Sequence, residues 1–267
     1  MSPLLASIPS PPSNVIEIGP LTIHYYGIAI GIGVVLAILV ARRRYERFGG
    51  DGDLLERVIL WVVGIGFLGA RLAYVSTHTA RFDDRWYAAF FIWEGGLALF
   101  GGLTAGALTA IYLMRKHHGD IWAFADATAV AIPLAQALGR IGNYFNQELF
   151  GTPSTLPWAV EIDPGNRPLE YAGSATFHPT FLYEMLWNLL ITIPVILLLE
   201  RRFKLGRGAA IGLYAMIYGT GRFLMELLRT DTTFRLLGIS RNGWVSIGAV
   251  LLGAVIVARS RAMSREP

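Results

Sequence analysis

The chain has 267 residues, 54% of them hydrophobic and only 16% charged, whereas soluble domains carry roughly a quarter charged residues, so lipid rather than water is the expected solvent. It has no cysteine, which excludes disulfides, thiolate metal sites and a cysteine nucleophile and leaves any thiol in its chemistry to a substrate. The formal charge of +4 rests on arginine, with Lys116 and Lys204 the only lysines, and no basic patch with interleaved aromatics lies outside the membrane flanks, so nucleic acid is not an expected partner.

From the amino terminus, residues 1–20 are rich in Pro and Ser and lack a basic n-region, so they read as an exposed tail rather than a cleaved signal peptide. Seven apolar stretches follow, at Leu21 to Ala41, Val58 to Ser76, Phe91 to Met114, Ile121 to Ile141, Thr180 to Leu199, Ala209 to Leu228 and Trp244 to Ala258; a membrane helix takes about 20 such residues. The third is interrupted by Glu94-Gly95-Gly96 and by Gly101-Gly102 and the last is short, which leaves bent, re-entrant or buried segments open there. Arg and Lys fix the orientation, because cytoplasmic loops are enriched in them. With the amino terminus outside, the inner flanks hold 14 (Arg42 to Arg57, Arg115 and Lys116, Arg201 to Arg207, Arg259 to Arg265) and the outer ones 6 (Arg81, Arg85, Arg167, Arg229, Arg235, Arg241). The fold class is therefore an all-α integral membrane protein of about seven transmembrane helices. Its amino terminus is outside and its carboxyl terminus cytoplasmic, and the polar connection 142–179, with Trp158, Glu161, Asp163 and Arg167, forms a small extracytoplasmic cap. No internal repeat is visible, and one membrane domain over 1–267 is the economical reading.

An ionised side chain at membrane depth is costly unless paired or facing water. Arg71, Glu94, Asp126, Arg140, Glu148, Glu184, Arg222 and Glu226 all sit among apolar residues, and each is either part of a buried ion-pair network or part of a site. His24-Tyr25-Tyr26-Gly27 opens the first span, where interfacial anchoring is the plainer role. The stretch Gly139 to Gly151 packs Arg140, Asn143, Asn146 and Glu148 between glycines at a span's outer end, at the depth of lipid head groups. Guanidinium suits phosphate because it is always charged and bonds in pairs, and the Asn amides suit glycerol hydroxyls or carbonyls. His178-Pro179-Thr180 to Glu184 opens the fifth span. In the sixth, Tyr218, Arg222, Glu226 and Arg229 share one helical face by their spacing. There, either Arg222 and Glu226 neutralise each other or an arginine is left for an anion, with Gly219 and Gly221 allowing close approach.

The stretch 139–151 resembles the signature of the prolipoprotein diacylglyceryl transferase family, Gly-Arg-x-Gly-Asn-Phe-x-Asn-x-Glu-x-x-Gly, departing only at Tyr144. The resemblance extends over nearly the whole chain through His24 to Gly27, Gly69-Ala-Arg71-Leu-Ala-Tyr74, Trp93-Glu-Gly-Gly96, His178 to Glu184 and Tyr218 to Arg229, in the family's order. It implies transfer of the sn-1,2-diacylglyceryl group from phosphatidylglycerol to the lipobox cysteine of a preprolipoprotein, giving a thioether and releasing glycerol phosphate at a bacterial inner membrane. Arg140 and Arg222 match arginines essential in that family, and Tyr26, Asn143, Glu148, Gly151, Tyr218 and Glu226 match other sensitive positions. The expected catalytic set is thus Arg140, Arg222, Glu148 and Tyr26, with Asn143, Asn146, Gly151, Arg71, Tyr218, Glu226 and His24 binding substrate beside Arg140.

One departure bears on mechanism: many relatives carry a His before the paired glycines of the third span, where this chain has Phe100. The expectation is that the arginine field acidifies the substrate thiol enough to need no base, with Glu148, His24 and Tyr26 as alternative bases. No HExxH, P-loop or calcium-loop spacing occurs, so no metal or other cofactor is expected. The competing readings are a small-anion transporter or channel lined by Arg71, Arg140 and Arg222, and another phosphatidylglycerol-using enzyme on a similar arginine scaffold.

Overall fold

The computed structural model describes residues 7–91, 95–230 and 235–263; Trp93, Glu94 and Arg265, on which expectations above rest, lie outside them. Helices dominate: α1 (Tyr25–Arg47), α2 (Gly52–Thr77), α3 (Leu99–Lys116), α4 (Ile121–Phe145), α5 (Thr180–Trp187), α6 (Ile193–Arg202), α7 (Ala209–Glu226) and α8 (Arg241–Met263). Among the described residues five helical segments are long and apolar enough to cross a membrane: α1, α2, α4, the continuous 180–202 segment and α8. The expectation of seven is met for these five. Helices α3 and α7 have 18 residues each, about 27 Å at 1.5 Å per residue. Glycines and the Arg115-Lys116 end dilute α3, and Tyr214, Tyr218, Arg222 and Glu226 dilute α7. Of the five, α4 is the central one: 44% of its most apolar window is buried, against 17% to 22% in the others.

The chain divides into two compact units, 41–127 and the remainder, with α1 and α4 running through both. In the 41–127 unit, α2 and α3 pack through small residues. A Cβ on Gly69 would meet Gly101 O at 2.9 Å, and one on Gly102 would meet Gly66 O at 3.1 Å. Without a hydrophobic drive between helices in lipid, such close backbone approach is what holds a pair together. Asp51 caps α2 by accepting from Asp53 N at 2.8 Å and Leu54 N at 3.3 Å, and Arg42 pairs with Asp53 and Glu56 across that turn. Arg71 is buried and gives all five guanidinium donors to backbone: Nε to Ala89 O (2.8 Å), Nη2 to Ala88 O (2.7 Å) and Phe91 O (3.1 Å), Nη1 to Gly96 O (2.9 Å) and Gly95 O. Gly95 and Gly96 turn those carbonyls inward at φ +79° and +82°, values that a side chain makes costly.

In the other unit, α7 and α8 form a second small-residue seam, Gly212 against Gly253 and Gly219 against Ser246. The 180–202 segment loosens into a π-turn over Asn188–Thr192, directly before Pro194, which has no N–H for the α-helical bond to Leu190. The buried amide of Asn188 faces Gln136 at 3.4 Å inside it.

Ahead of α1, β1 (Val15–Ile18) and β2 (Leu21–His24) form an antiparallel hairpin. Gly19 at φ +59° starts its two-residue turn, the place glycine takes in a tight hairpin. The first span therefore begins at Tyr25, not Leu21. Between α4 and α5 the connection folds into a small unit, here termed the cap: β3 (Val160–Glu161) pairs antiparallel with β4 (Thr176–Phe177) over a core of Phe150, Val160, Ile162, Phe177 and Phe181. Residues 7–10 are not an exposed tail. Ile8 N donates to Ala159 O and Ile8 O accepts from Glu161 N, both at 2.8 Å, so the segment lies parallel beside β3, and Tyr144 Oη donates to Pro9 O at 2.9 Å. Its apolar Ile8 packs on the cap core, which a Pro- and Ser-rich composition does not reveal. A small hairpin, β5 (Arg235–Leu236) with β6 (Ile239–Ser240), leads into α8.

Candidate active site

The signature stretch ends α4 and then reverses the chain. Asn146 N donates to Gly142 O (3.0 Å), Gln147 N to Tyr144 O (3.0 Å) and Glu148 N to Asn143 O (3.1 Å), so the last carbonyls of the helix are satisfied by its own tail. Gln147 and Leu149 take left-handed backbone, φ +50° and +56°, which turns Glu148 back over the helix end. There it accepts from Asn143 Nδ2 at 2.8 Å and Asn146 Nδ2 at 3.4 Å. The turn is fastened at Gly151, whose N donates to His178 O at 2.8 Å. A Cβ there would stand 2.7 Å from Leu228 O and 3.0 Å from His178 Cβ, so only glycine lets the loop touch the end of α7.

From Asn143 the polar contacts continue without a break. Asn143 Oδ1 accepts from Arg140 Nη1 at 3.0 Å, Arg140 Nη2 pairs with Glu184 of α5, Glu184 Oε1 accepts from Arg222 Nη1 at 2.8 Å, and Arg222 Nη2 meets Glu226 at 2.7 Å. Glu226 in turn accepts from Ser240 Oγ at 2.9 Å and Asn242 Nδ2 at 3.3 Å. The carboxylates sit behind the guanidiniums: the side chains of Glu184 and Glu226 are 4% and 3% exposed, those of Arg140 and Arg222 17% and 15%. Each guanidinium has five donors and gives one to Glu184, with another to Asn143 or Glu226, so both keep donors for an incoming group on their more open side.

Two tyrosines flank the chain. Tyr26 lies on Gly142, where a Cβ would come within 3.0 Å of its Cα and into its ring; its hydroxyl stands next to Asn143, with Arg140 and Glu148 in electrostatic reach. Tyr218 is stacked on Tyr214 at 5.5 Å and lies beside Arg140, Arg222 and Glu184. Gly219 and Gly221 both allow close approach: Gly219 admits the α8 backbone, and Gly221 the Trp187 ring.

The structure thus brings together Arg140, Asn143, Asn146, Glu148, Arg222, Glu226, Tyr26 and Tyr218, with Gly151 as their support. Two expected residues stand elsewhere. His24 is exposed at the end of β2 and, among the described residues, bonds to none of these side chains. Arg71 has every donor committed to the carbonyls of Ala88, Ala89, Phe91, Gly95 and Gly96. Of the two readings of the α7 stripe, Arg222 does pair with Glu226, and Arg140 and Arg222 share Glu184 while each keeps further donors. Glu184, the hub that takes both, was legible in the sequence as an ionisable residue in an apolar span and as the end of the His178 to Glu184 block; nothing in the spacing joined it to Arg140, 44 residues away. Among the described residues no group of three or more His, Asp or Glu side chains is placed to hold a metal ion.

A buried pair of guanidiniums with open donors, ringed by amides and phenols, suits a phosphate ester with hydroxylated neighbours. Comparison with known proteins points the same way. The phosphatidylglycerol–prolipoprotein diacylglyceryl transferase of Frankia alni is 44% identical over 256 residues, 95% of this chain and 67% of that protein. The second such enzyme of Streptomyces coelicolor is 44% identical over 254 residues, 94% of the chain and 80% of the relative. That of Cutibacterium acnes is 44% identical over 255, 94% and 85%. The family model for prolipoprotein diacylglyceryl transferase matches residues 13–259, and the chain belongs to that family.

Proposed function

We propose that this protein is a membrane transferase that moves the sn-1,2-diacylglyceryl group of phosphatidylglycerol onto the lipobox cysteine thiol of a preprolipoprotein. The sulfur attacks the glycerol carbon that bears the phosphate, the C–O bond to that phosphate breaks, a thioether forms, and glycerol phosphate leaves with the thiol proton delivered to an acceptor. The observation that carries the reading is the continuous chain from Glu148 through Asn143, Arg140, Glu184 and Arg222 to Glu226. Its two part-open guanidiniums suit a leaving phosphate, where charge grows in the transition state. We assign the head-group glycerol to Asn143, Asn146 and Tyr218; Gly151 shapes the turn, and Glu226 holds Arg222.

The thiol proton has no histidine to go to at position 100. The arginine field expected to acidify the thiol is offset by Glu184 and Glu226, so an acceptor is needed after all. Glu148 fills that role best: it is held by two amides and pairs with no arginine among the described residues, and Tyr26 beside it orients the same network. The protein spans a bacterial inner membrane with its amino terminus outside and its carboxyl terminus cytoplasmic. Helices α3 and α7 complete seven crossings, and the cap and site face the extracytoplasmic side, as the 14-to-6 distribution of Arg and Lys favours.

The test is transfer from labelled phosphatidylglycerol to a lipobox peptide by purified protein. Wild type is expected to give thioether product, Arg140→Ala and Arg222→Ala to lose at least about 100-fold in rate, Glu148→Gln to lose roughly 100-fold, and Phe100→His to gain nothing. A folded, lipid-supplied wild type that makes no thioether would sink the reading in favour of an anion pathway.

A further inference from the structure

Outside the arginine chain the described residues enclose a cleft of about 290 Å³ in the cap, between the amino-terminal segment and β3. Its lining is mixed: Glu161, Asp163 and Arg167 stand there with Ser7, Ser10 and Thr155 beside the apolar Leu156 and Ile162. The two carboxylates are set rather than loose. Ser7 Oγ donates to Glu161 Oε1, and Ser10 Oγ donates to Asp163 Oδ1 at 2.8 Å. Asp163 is also bolted to the signature turn, its Oδ2 accepting from Gln147 Nε2 at 2.6 Å and its N donating to Gln147 Oε1 at 2.7 Å. Gln147 precedes Glu148, so a continuous set of bonds joins the cleft to the site.

The lining decides what fits. Arg167 gives its Nε to Ile162 O at 2.7 Å and Nη1 to Ala172 O at 3.4 Å, and against its single positive charge Glu161 and Asp163 leave the lining net negative. A phosphate head group is repelled there. A polypeptide is not: Glu161 Oε2 and the exposed Thr155 hydroxyl have no bonded partner among the described residues, and the opposite wall is residues 7–10, joined to β3 by the parallel Ile8 bridge. Strands fit such a slot by backbone bonds with alternate side chains reaching the wall.

We propose that this cleft is the subsite for the stretch of acceptor polypeptide that follows the modified cysteine, and that it selects cationic or hydroxyl-bearing side chains against acidic ones. This rests on the transferase reading above. It makes the cap a reader of the protein substrate, with the Gln147–Asp163 pair tying the occupied cleft to the turn that carries Glu148.

The experiment compares two lipobox peptides differing only just after the cysteine, one with Lys and one with Glu at those positions, in transfer from phosphatidylglycerol. Wild type is expected to show a KM roughly tenfold lower for the Lys peptide, about what one charge-assisted hydrogen bond supplies. In Glu161→Gln the ratio of the two KM values should approach one, and in Thr155→Arg, a change at an exposed position, the preference should move toward the Glu peptide. Transfer to both peptides with equal KM in wild type, or a ratio that neither variant shifts, would overturn the cleft proposal and leave the transferase reading standing. No transfer to either peptide would overturn both.

Discussion

At Gly139 and Gly142, two glycines of one helical turn meet opposite surroundings. A Cβ at Gly139 would touch nothing within 4 Å, whereas one at Gly142 would enter Tyr26. Gly139→Ala is therefore expected to stabilise the protein by roughly 0.5–1 kcal/mol, the ordinary gain of alanine in a helix. Gly142→Ala should cost about 1–3 kcal/mol through overpacking and lower transfer by displacing the phenol; thermal unfolding of both variants in one detergent, with the transfer rate, separates them. The same logic of neighbours governs the charges. Removing Glu184 leaves Arg140, about five-sixths buried, without a carboxylate and Arg222 with Glu226 alone, so Glu184→Ala is expected to destabilise by about 3–5 kcal/mol. Arg222→Lys keeps the charge but cannot hold Glu184 and Glu226 at once with a planar fork, and its transfer rate should fall at least about tenfold. Wild-type transfer by Arg222→Lys would show that a point charge suffices.

Helix pairs are held at this scale by what is missing between them. The α7–α8 seam brings Gly219 within 3.0 Å of Ser246 O and Val250 Cγ2, counted from where a Cβ would be, so Gly219→Val should part the two helices and move Arg222, one turn further on. Lower unfolding temperature together with lost transfer is the expected result, and transfer without change would show that the seam does not position the arginine. The cap answers to pH instead. Bonds from Gln147, then Ser10, hold the Asp163 carboxyl below its ordinary value of 3.8. The folded cap therefore binds the proton less readily than the unfolded chain, so this contribution is full above the ordinary value and is lost as pH falls through the folded one. Hydrogen exchange or proteolysis of 146–178 should accelerate on acidification, less so in Asp163→Asn.

Across the whole molecule the proposed seven crossings put the cap and the 201–207 end on opposite sides of the bilayer. The absence of cysteine makes single-cysteine labelling clean: Leu169→Cys on the cap is expected to react with an impermeant reagent from outside, and Arg207→Cys only after permeabilisation. The reverse pattern would invert the topology. Much of this protein was legible in the linear chain. Composition and apolar stretches determined a helical membrane protein, because burial in lipid demands them; the glycine-bracketed cluster 139–151 marked one side of the site, because charge at that depth needs a reason. Tertiary structure alone decided the rest. It alone could separate Arg71, whose donors all go to backbone carbonyls, from Arg140 and Arg222, because a sequence shows a charge but not its partners. It raised Glu184 to the hub by folding α5 between two helices 82 residues apart in their arginines, and it turned the amino-terminal segment into a wall of the cap. Side-chain pairing and strand docking depend on contacts between distant residues, and those exist only once the chain is folded.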